Sequence, residues 1–183
     1  MRTDILAVIV NGCGGVGKDT LIDGYVHSGS MKAEKYSSIN DVKKLAKMCG
    51  WNGSKEDRDR KFLSDLKCLL SEYNDLPFKS CVRSFRFSRM RTFHVWFCMV
   101  REPDEIDKLK WHIRSVEECP VVTLLVRRNG FNDRKYGNVA DDNVEDYFYD
   151  YIFDNNGTIE TSQYLFRKLI DRIYKEKVQK NDI

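Results

Sequence analysis

A glycine-rich stretch near the start of the chain carries the residues whose types and spacing suggest chemistry. In the stretch NGCGGVGKDT, Gly12, Gly17 and Lys18 match the phosphate-loop pattern G-x-x-x-x-G-K-[ST]. Glycines in that pattern let backbone N–H groups turn inward around phosphate oxygens, and the lysine reaches the terminal phosphates. The next residue normally gives a hydroxyl to Mg²⁺, but here it is Asp19, with Thr20 one place late. A carboxylate is also a hard Mg²⁺ ligand, so the stretch predicts a phosphate and Mg²⁺ site with an altered metal contact. The alternative is a glycine-rich turn without a ligand.

The elements that must position this loop follow from the hydrophobic pattern. Short apolar or β-rich runs predict strands at 5–10, 33–39, 92–100, 121–126 and 149–153. Helical patterns lie between them, at 18–28, 41–49, 57–74, 78–90 and 105–115. We expect Asn40 or Asp41 to cap the second helix, and Thr158 to cap a last one. The third helix carries an apolar stripe that we expect to be buried, made of Phe62, Leu66, Leu69 and Tyr73.

Strands that alternate with helices indicate an α/β fold. We predict a three-layer sandwich around a mainly parallel five-stranded sheet, formed as one domain over residues 1–183. Ligands bind such sheets at the carboxyl ends of the strands. The glycine loop follows the first strand directly, which is the context that a phosphate loop requires.

Composition excludes several classes of protein. A formal net charge of +3 is too small to argue for nucleic acid or a membrane surface, and no window has the roughly 20 apolar residues of a membrane helix. The six cysteines form no C-x-x-C pair, so we expect reduced thiols in a cytoplasmic protein rather than a zinc site. The first apolar run leads straight into the glycine loop, so we expect no signal peptide.

Charge is segregated along the chain. Residues 76–101 contain no acid and residues 136–166 contain no lysine or arginine. Helical spacing puts four of the cations on one face, namely Lys79, Arg83, Arg86 and Arg89. This face is either an anion-binding surface, a solvated face that pairs with the acidic segment, or a nucleic-acid patch interleaved with phenylalanines.

Three segments together resemble a known family. The ending GKDT is similar to the phosphate loop of phage deoxynucleoside monophosphate kinases and animal-type phosphomevalonate kinases, both of the P-loop nucleoside-monophosphate-kinase-like group. VREPDEI at 100–106 resembles the D-V-R-F-P-N-E segment of the phage enzymes, and YDYIFDNNGT at 149–158 resembles the last strand and turn of these kinases. The family tolerates Asp after the lysine. It also has an acid on the strand where this chain has Met99, so the metal ligand moves to Asp19, Glu102 or Asp104.

The resemblance implies the P-loop fold and an ATP-dependent phosphotransferase that uses Mg²⁺. Acceptor binding is expected in the helical region of about 40–91, and a lid-like loop at about 127–148. The expected ATP contacts are Gly12, Gly14, Gly15, Val16, Gly17, Lys18, Asp19, Thr20, Arg127, Asn156 and Gly157. The expected catalytic residues are Lys18, Arg101, Arg128 and Arg134, and the expected acceptor contacts are Lys43, Arg83, Arg86 and Arg101. The expected metal ligands are Asp19 and Glu102.

The partners expected are ATP and a small phosphorylated acceptor, with neither nucleic acid nor membrane. A nucleoside or deoxynucleoside monophosphate is the first choice of acceptor. Phosphomevalonate or a nucleoside is an alternative, and so is a nucleotide-binding module or NTPase without kinase activity. A monomer and a homodimer both stay open.

Overall fold

The apolar runs form a parallel β-sheet. A computed structural model describes residues 5–29, 31–54, 56–131 and 144–179 of the chain. Within these ranges the strands are β1 (Leu6–Asn11), β2 (Ala33–Ser37), β3 (Val95–Met99), β4 (Val121–Arg127) and β5 (Tyr151–Asp154). They lie in the order β2-β3-β1-β4-β5, and every neighbouring pair is parallel. The glycine loop therefore leaves the central strand, between the carboxyl ends of β3 and β4.

Helices connect the strands and cover both faces of the sheet. They are α1 (Lys18–Ser28), α2 (Asn40–Met48), α3 (Asp57–Asn74), α4 (Leu76–Met90), α5 (Pro103–Ser115) and α6 (Ile159–Tyr174). A 3₁₀ turn spans Val144–Asp146, and a π-helical turn at Lys175–Gln179 continues α6.

The predicted helix caps have opposite outcomes. The Thr158 hydroxyl accepts from the Thr161 amide at 3.3 Å, which confirms that cap. The cap predicted for α2 is wrong, because Ile39 occupies that position without a side-chain bond. Asp41 lies inside the helix, and its carboxylate binds side chains of α4 instead.

The aromatic contacts define the layers. Phe97 on β3 packs against Tyr25 of α1 and Phe166 of α6, with ring centroids 5.4 and 6.1 Å apart. The adjacent Trp96 points to the other face and meets Phe85 of α4 at 5.3 Å. Side chains alternate along a strand, so these contacts place α1 and α6 on one face and α4 on the other. The predicted three-layer α/β fold with a five-stranded sheet is confirmed.

The apolar stripe predicted for α3 is not buried. Tyr73 is 82% exposed and Leu69 is 61% exposed, whereas Leu63, which lies outside the stripe, is buried. The reason is that α3 packs against α2 and α4 rather than on the sheet. The helix boundaries follow the sequence pattern, but the buried face is set by those two neighbours.

None of the helices in the described part of the chain has the length and apolar character needed to span a bilayer.

Most of the predicted lid-like loop, including Arg134, lies outside the described residues. The division into acceptor-binding region and lid stays a prediction.

Candidate functional site

The glycine loop bends through backbone angles that favour glycine. Gly12, Gly15 and Gly17 have φ values of 147°, 86° and 91°. Gly17 occupies the N-cap position of α1 and makes no side-chain cap bond, so the first amides of the helix are not capped by a side chain at that position. Uncapped amides and the positive end of the helix dipole together attract anions. The loop has the local structure of a phosphate cradle.

Packing leaves no room for side chains at two of these glycines. A Cβ on Gly12 would overlap the Val126 carbonyl oxygen of β4, and one on Gly17 would lie 2.5 Å from the Asn155 amide nitrogen. Asn155 is buried and donates to the Val16 carbonyl oxygen at 2.7 Å. The loop backbone is therefore fixed against β4 and the residue after β5.

Lys18 folds back over the loop that precedes it. Its Nζ donates to the Gly12 carbonyl oxygen and, at 2.8 Å, to that of Cys13. Carbonyl oxygens are neutral acceptors, and an anionic phosphate oxygen is a stronger partner for an ammonium. The predicted phosphate-binding lysine thus lies at the loop, held by groups that phosphate can replace.

Asp19 stands in the first turn of α1 and is paired with a lysine from the sheet. The Nζ of Lys35 on β2 lies 3.1 Å from Asp19 Oδ1 and 2.6 Å from Asp23 Oδ1. Burial alone would lower the pKa of Lys35, but hydrogen bonds to Asp23 and Asp19 outweigh it and raise the pKa above its usual range. Thr20 is exposed, and its carbonyl oxygen accepts from Gln163 of α6 at 3.0 Å.

Glu102, the other predicted metal ligand, belongs to an ion-pair cluster. Lys67 of α3 contacts Glu102 and lies 2.8 Å from Glu105. Burial favours protonation of both acids, but the Lys67 charge outweighs it for Glu102 and lowers the pKa of that carboxyl. For Glu105, burial together with the nearby Glu102 carboxylate raises the pKa to about 6. Lys67 therefore competes with any metal for Glu102.

Within the part of the chain that the structure describes, carboxylates do not gather around the loop as they would for a protein-built metal cage. Among the described residues, no three His, Cys, Asp or Glu side chains converge on a point where a metal could sit. Mg²⁺ commonly uses one or two carboxylates and completes its shell with phosphate oxygens and water. The single carboxylate of Asp19 at the start of α1 is compatible with that mode.

Arg101 lies two residues after the end of β3 and is exposed, as an acceptor contact requires. A buried asparagine fixes its backbone. Asn11, the last residue of β1, donates to the Arg101 carbonyl oxygen at 2.9 Å and to the Tyr149 hydroxyl at 2.8 Å. Its own Oδ1 accepts from the Gly12 amide at 2.8 Å. Our sequence reasoning missed Asn11; the available signal was a polar residue that ends a fully apolar strand directly before the loop.

The cations of α4 find acidic partners at opposite ends of the sheet. Arg83 pairs at 2.6 Å with Asp41, which follows β2 at the carboxyl ends of the strands. Arg86 pairs at 2.6 Å with Glu117, which precedes β4 at the amino ends. Neither partner comes from the acidic segment 136–166.

The same face of α4 borders a groove of about 590 Å³. Its lining combines cations with apolar side chains, namely Phe78, Lys79, Val82, Arg83, Arg86, Phe87, Met90 and His112. Lys43 is exposed on α2, two residues from Asp41. Of the predicted acceptor contacts, Arg101, Arg83 and Lys43 therefore lie on segments near the carboxyl ends of the strands.

The expected ATP contacts beyond the loop lie at the end of β4 and in the segments that follow β4 and β5. Arg127 pairs with Asp154 at 2.5 Å, and the Asn156 side chain accepts from the Asn129 amide at 2.9 Å. Arg128 stacks on Phe131 with 5.5 Å between the guanidinium carbon and the ring centroid. The Phe131 ring in turn lies against Gly15, 3.0 Å from where a Cβ would be. The structure thus brings the segment after β4 onto the glycine loop.

Comparison with known proteins gives distant structural likenesses. No protein-family model and no curated protein matches the chain. A sugar kinase from Janibacter sp. has 14% identity and a TM-score of 0.48, over 91% of this chain and 94% of that one. The APS kinase of Mycobacterium tuberculosis has 9% identity and a TM-score of 0.48, over 91% and 97%. The description of the fold rests on the strand order and the loop geometry of the chain itself.

Proposed function

We propose that this protein is an ATP-dependent phosphotransferase that moves the γ-phosphate of ATP to a nucleoside or deoxynucleoside monophosphate. One observation carries the proposal. At the carboxyl end of the central strand, three glycines with positive φ lead into α1, and the first residue of that helix is Lys18. This is the arrangement that binds a nucleotide triphosphate tail through backbone amides and one lysine.

The loop residues divide the work of binding and transfer. The loop from Gly12 to Gly17 would hold the β- and γ-phosphates, and Lys18 would exchange the carbonyls of Gly12 and Cys13 for phosphate oxygens. Asp19 would hold Mg²⁺, which when bound neutralises charge on the phosphates. Glu102 would become a second ligand only by leaving Lys67.

A phosphorylated acceptor agrees with the state of the nearby acids. An alcohol acceptor needs a general base, whereas a phosphate is already ionised. Glu102 and Glu105 are both bound to Lys67, so either would have to leave that lysine to act as a base, and Asp104 is the other candidate. Arg101, with Arg83 and Lys43, would bind the acceptor phosphate, because arginine offers two parallel donors to phosphate. Arg86 would contact the acceptor only by leaving Glu117.

The segments after β4 and β5 would complete the ATP site. Arg127, Asn156 and Gly157 would contact the nucleotide, and Arg127 would do so by exchanging Asp154 for a phosphate. Arg128 and Arg134 would neutralise charge as phosphoryl transfer proceeds, and closure of the segment that carries them would exclude water.

A second candidate is a nucleotide-binding module or NTPase without an acceptor. The observation that favours it is Met99, which ends β3 where a metal-binding acid stands in the resembling kinases. The two candidates differ in a measurable way, because a kinase turns over only with its second substrate.

The experiment is transfer of labelled γ-phosphate from ATP to a panel of acceptors. The panel holds the common ribo- and deoxynucleoside monophosphates, phosphomevalonate and the nucleosides. We expect transfer to one or a few monophosphates, and a loss of about 10²–10³-fold in Lys18→Ala. Lys168→Ala, which removes an exposed lysine on α6, should leave the rate unchanged. ATP binding without transfer to any acceptor would overturn the kinase in favour of the module.

A further inference from the structure

The contact between Lys35 and the first turn of α1 has no role in the proposed function so far. Lys35 lies on β2, which is an edge strand of the sheet. Its side chain is on the face of the sheet that α1 covers. Its ammonium contacts Asp19 and Asp23, which are one helical turn apart, at 3.1 and 2.6 Å. The lysine side chain is 27% exposed, against 69% for Asp19, so the positive charge is the more sheltered partner.

Asp19 poses an electrostatic problem for a phosphate site. It replaces the neutral hydroxyl residue of the usual loop pattern and adds a negative charge at the start of α1, where the helix otherwise attracts anions. A triphosphate that approaches this turn meets a like charge, and like charges a few ångströms apart at a protein surface repel appreciably. Another charge must offset the carboxylate when no metal is bound.

We propose that Lys35 is a positioning residue that neutralises Asp19, so that the loop accepts ATP before and during metal binding. The inference rests on the proposed function, because it concerns the same phosphate loop. In this arrangement the cation that balances Asp19 comes from β2, and Mg²⁺ and Lys35 share the carboxylate. In this loop the pair Asp19 and Lys35 therefore replaces the single Ser or Thr that follows the lysine in the usual pattern.

A purely structural role makes a different prediction. If Lys35 only fastens β2 to α1 through its ion pairs with Asp19 and Asp23, its removal should weaken folding and affect ATP binding equally with and without Mg²⁺. If Lys35 acts by neutralising Asp19, the effect of its removal should depend on that charge. The isosteric change Asp19→Asn removes that charge but leaves the contact with Asp23, so the comparison with and without Mg²⁺ is needed to separate the two roles.

The experiment measures ATP binding by isothermal titration calorimetry, once with EDTA and once with MgCl₂. The proteins are the native chain, Lys35→Met, Asp19→Asn and the double variant. Lys35→Gln serves as a second neutral variant, and Lys35→Arg should retain native affinity. Lys110→Met is the matched control, because Lys110 is also a sheltered lysine bound to a carboxylate, that of Asp150. Thermal unfolding verifies that each variant is folded.

We expect Lys35→Met to weaken binding of metal-free ATP about tenfold, and binding of ATP with Mg²⁺ by less, because the cation also neutralises Asp19. In the Asp19→Asn background the same change should cost less than about threefold. Equal losses in both backgrounds, equal losses with and without Mg²⁺, or no loss in the native chain would overturn the role of Lys35 while leaving the kinase intact. A native chain that binds no ATP under either condition would overturn the proposed function as well.

Discussion

At the scale of single residues, Gly17 is the point where loop conformation and packing meet. Its φ of 91° is strained for any other residue, and a Cβ would lie 2.5 Å from the Asn155 amide nitrogen. We expect Gly17→Ala to lower the free energy of unfolding by about 2–3 kcal/mol and to weaken ATP binding, since the loop must shift. Urea unfolding measures the first effect and calorimetry the second.

Gly53 provides a matched control for this substitution. Its φ is 95°, nearly that of Gly17, but a Cβ there would have no neighbour within 4 Å. Gly53→Ala should therefore show the backbone cost alone, about 1 kcal/mol. Equal losses of stability in the two variants would contradict the clash with Asn155.

Lys67 should make stability depend on pH. Lys67→Met leaves Glu102 and Glu105 facing each other without a cation, and we expect a loss of about 2 kcal/mol at pH 8. The loss should shrink toward pH 5, because protonation removes the repulsion. Urea unfolding at several pH values tests this, with Lys61→Met on the exposed side of α3 as control. A loss that is the same at pH 5 and pH 8 would contradict the prediction.

Glu105 determines the direction in which its own ionisation changes the stability of the native chain with pH. Its pKa of about 6 lies above the 4.5 of the unfolded chain, so the folded state holds the proton more tightly. The stability that this proton contributes is present below pH 4.5 and is lost as the pH rises through about 6. Glu102 opposes this trend, because its pKa is lowered in the folded protein.

At the scale of elements, α3 should tolerate changes on the face that its sequence marks as apolar. Leu63 is 9% exposed and Leu69 is 61% exposed, so the two leucines of one helix differ in burial alone. We expect Leu63→Ala to cost about 2–3 kcal/mol and Leu69→Ala less than about 0.5 kcal/mol. Thermal or urea unfolding compares them directly. A larger loss for Leu69→Ala would mean that the predicted stripe is buried after all.

The elements were predictable from sequence where local pattern decides them. The unalternating run at β1 requires burial on both faces, and the bounds of α3 follow from its helical period. The buried face of α3 could not be predicted, because it depends on where α2 and α4 lie. The α2 cap failed for a related reason: the Asp41 carboxylate is bound by Ser80 and Arg83 of the distant helix α4.

In the candidate site too, local motifs could be predicted from the sequence and long-range contacts could not. The glycines and Lys18 were readable because the motif is contiguous in sequence. Asn155 lies 139 positions from the Val16 carbonyl that it binds, and Lys35 lies 16 positions from Asp19. Contacts of that kind depend on strand order, which brings β2 near α1 and the end of β5 near the loop. A single sequence contains no local signal for them.

At the scale of the whole molecule, ATP should stabilise the folded chain against denaturant. A ligand that binds only the folded state at 100 times its Kd adds about 2.7 kcal/mol to the free energy of unfolding. We expect that gain with ATP and Mg²⁺ for the native chain and a much smaller one for Lys18→Ala at the same concentrations. Urea unfolding with and without nucleotide measures it. Equal gains in the two proteins would place ATP somewhere other than the glycine loop.

The strand order also governs how the chain assembles during synthesis. β1 leaves the ribosome before the other four strands of this sheet, yet its sheet partners are β3 and β4, and Leu6 pairs with Val95. Until those strands emerge, the uncharged run LAVIV is an unpaired ribbon of the kind that associates with other chains. Nascent chains that end before β4 therefore lack a phosphate cradle, because the Gly12 turn packs against Val126. The glycine loop is therefore synthesised well before β4, the strand against which it packs.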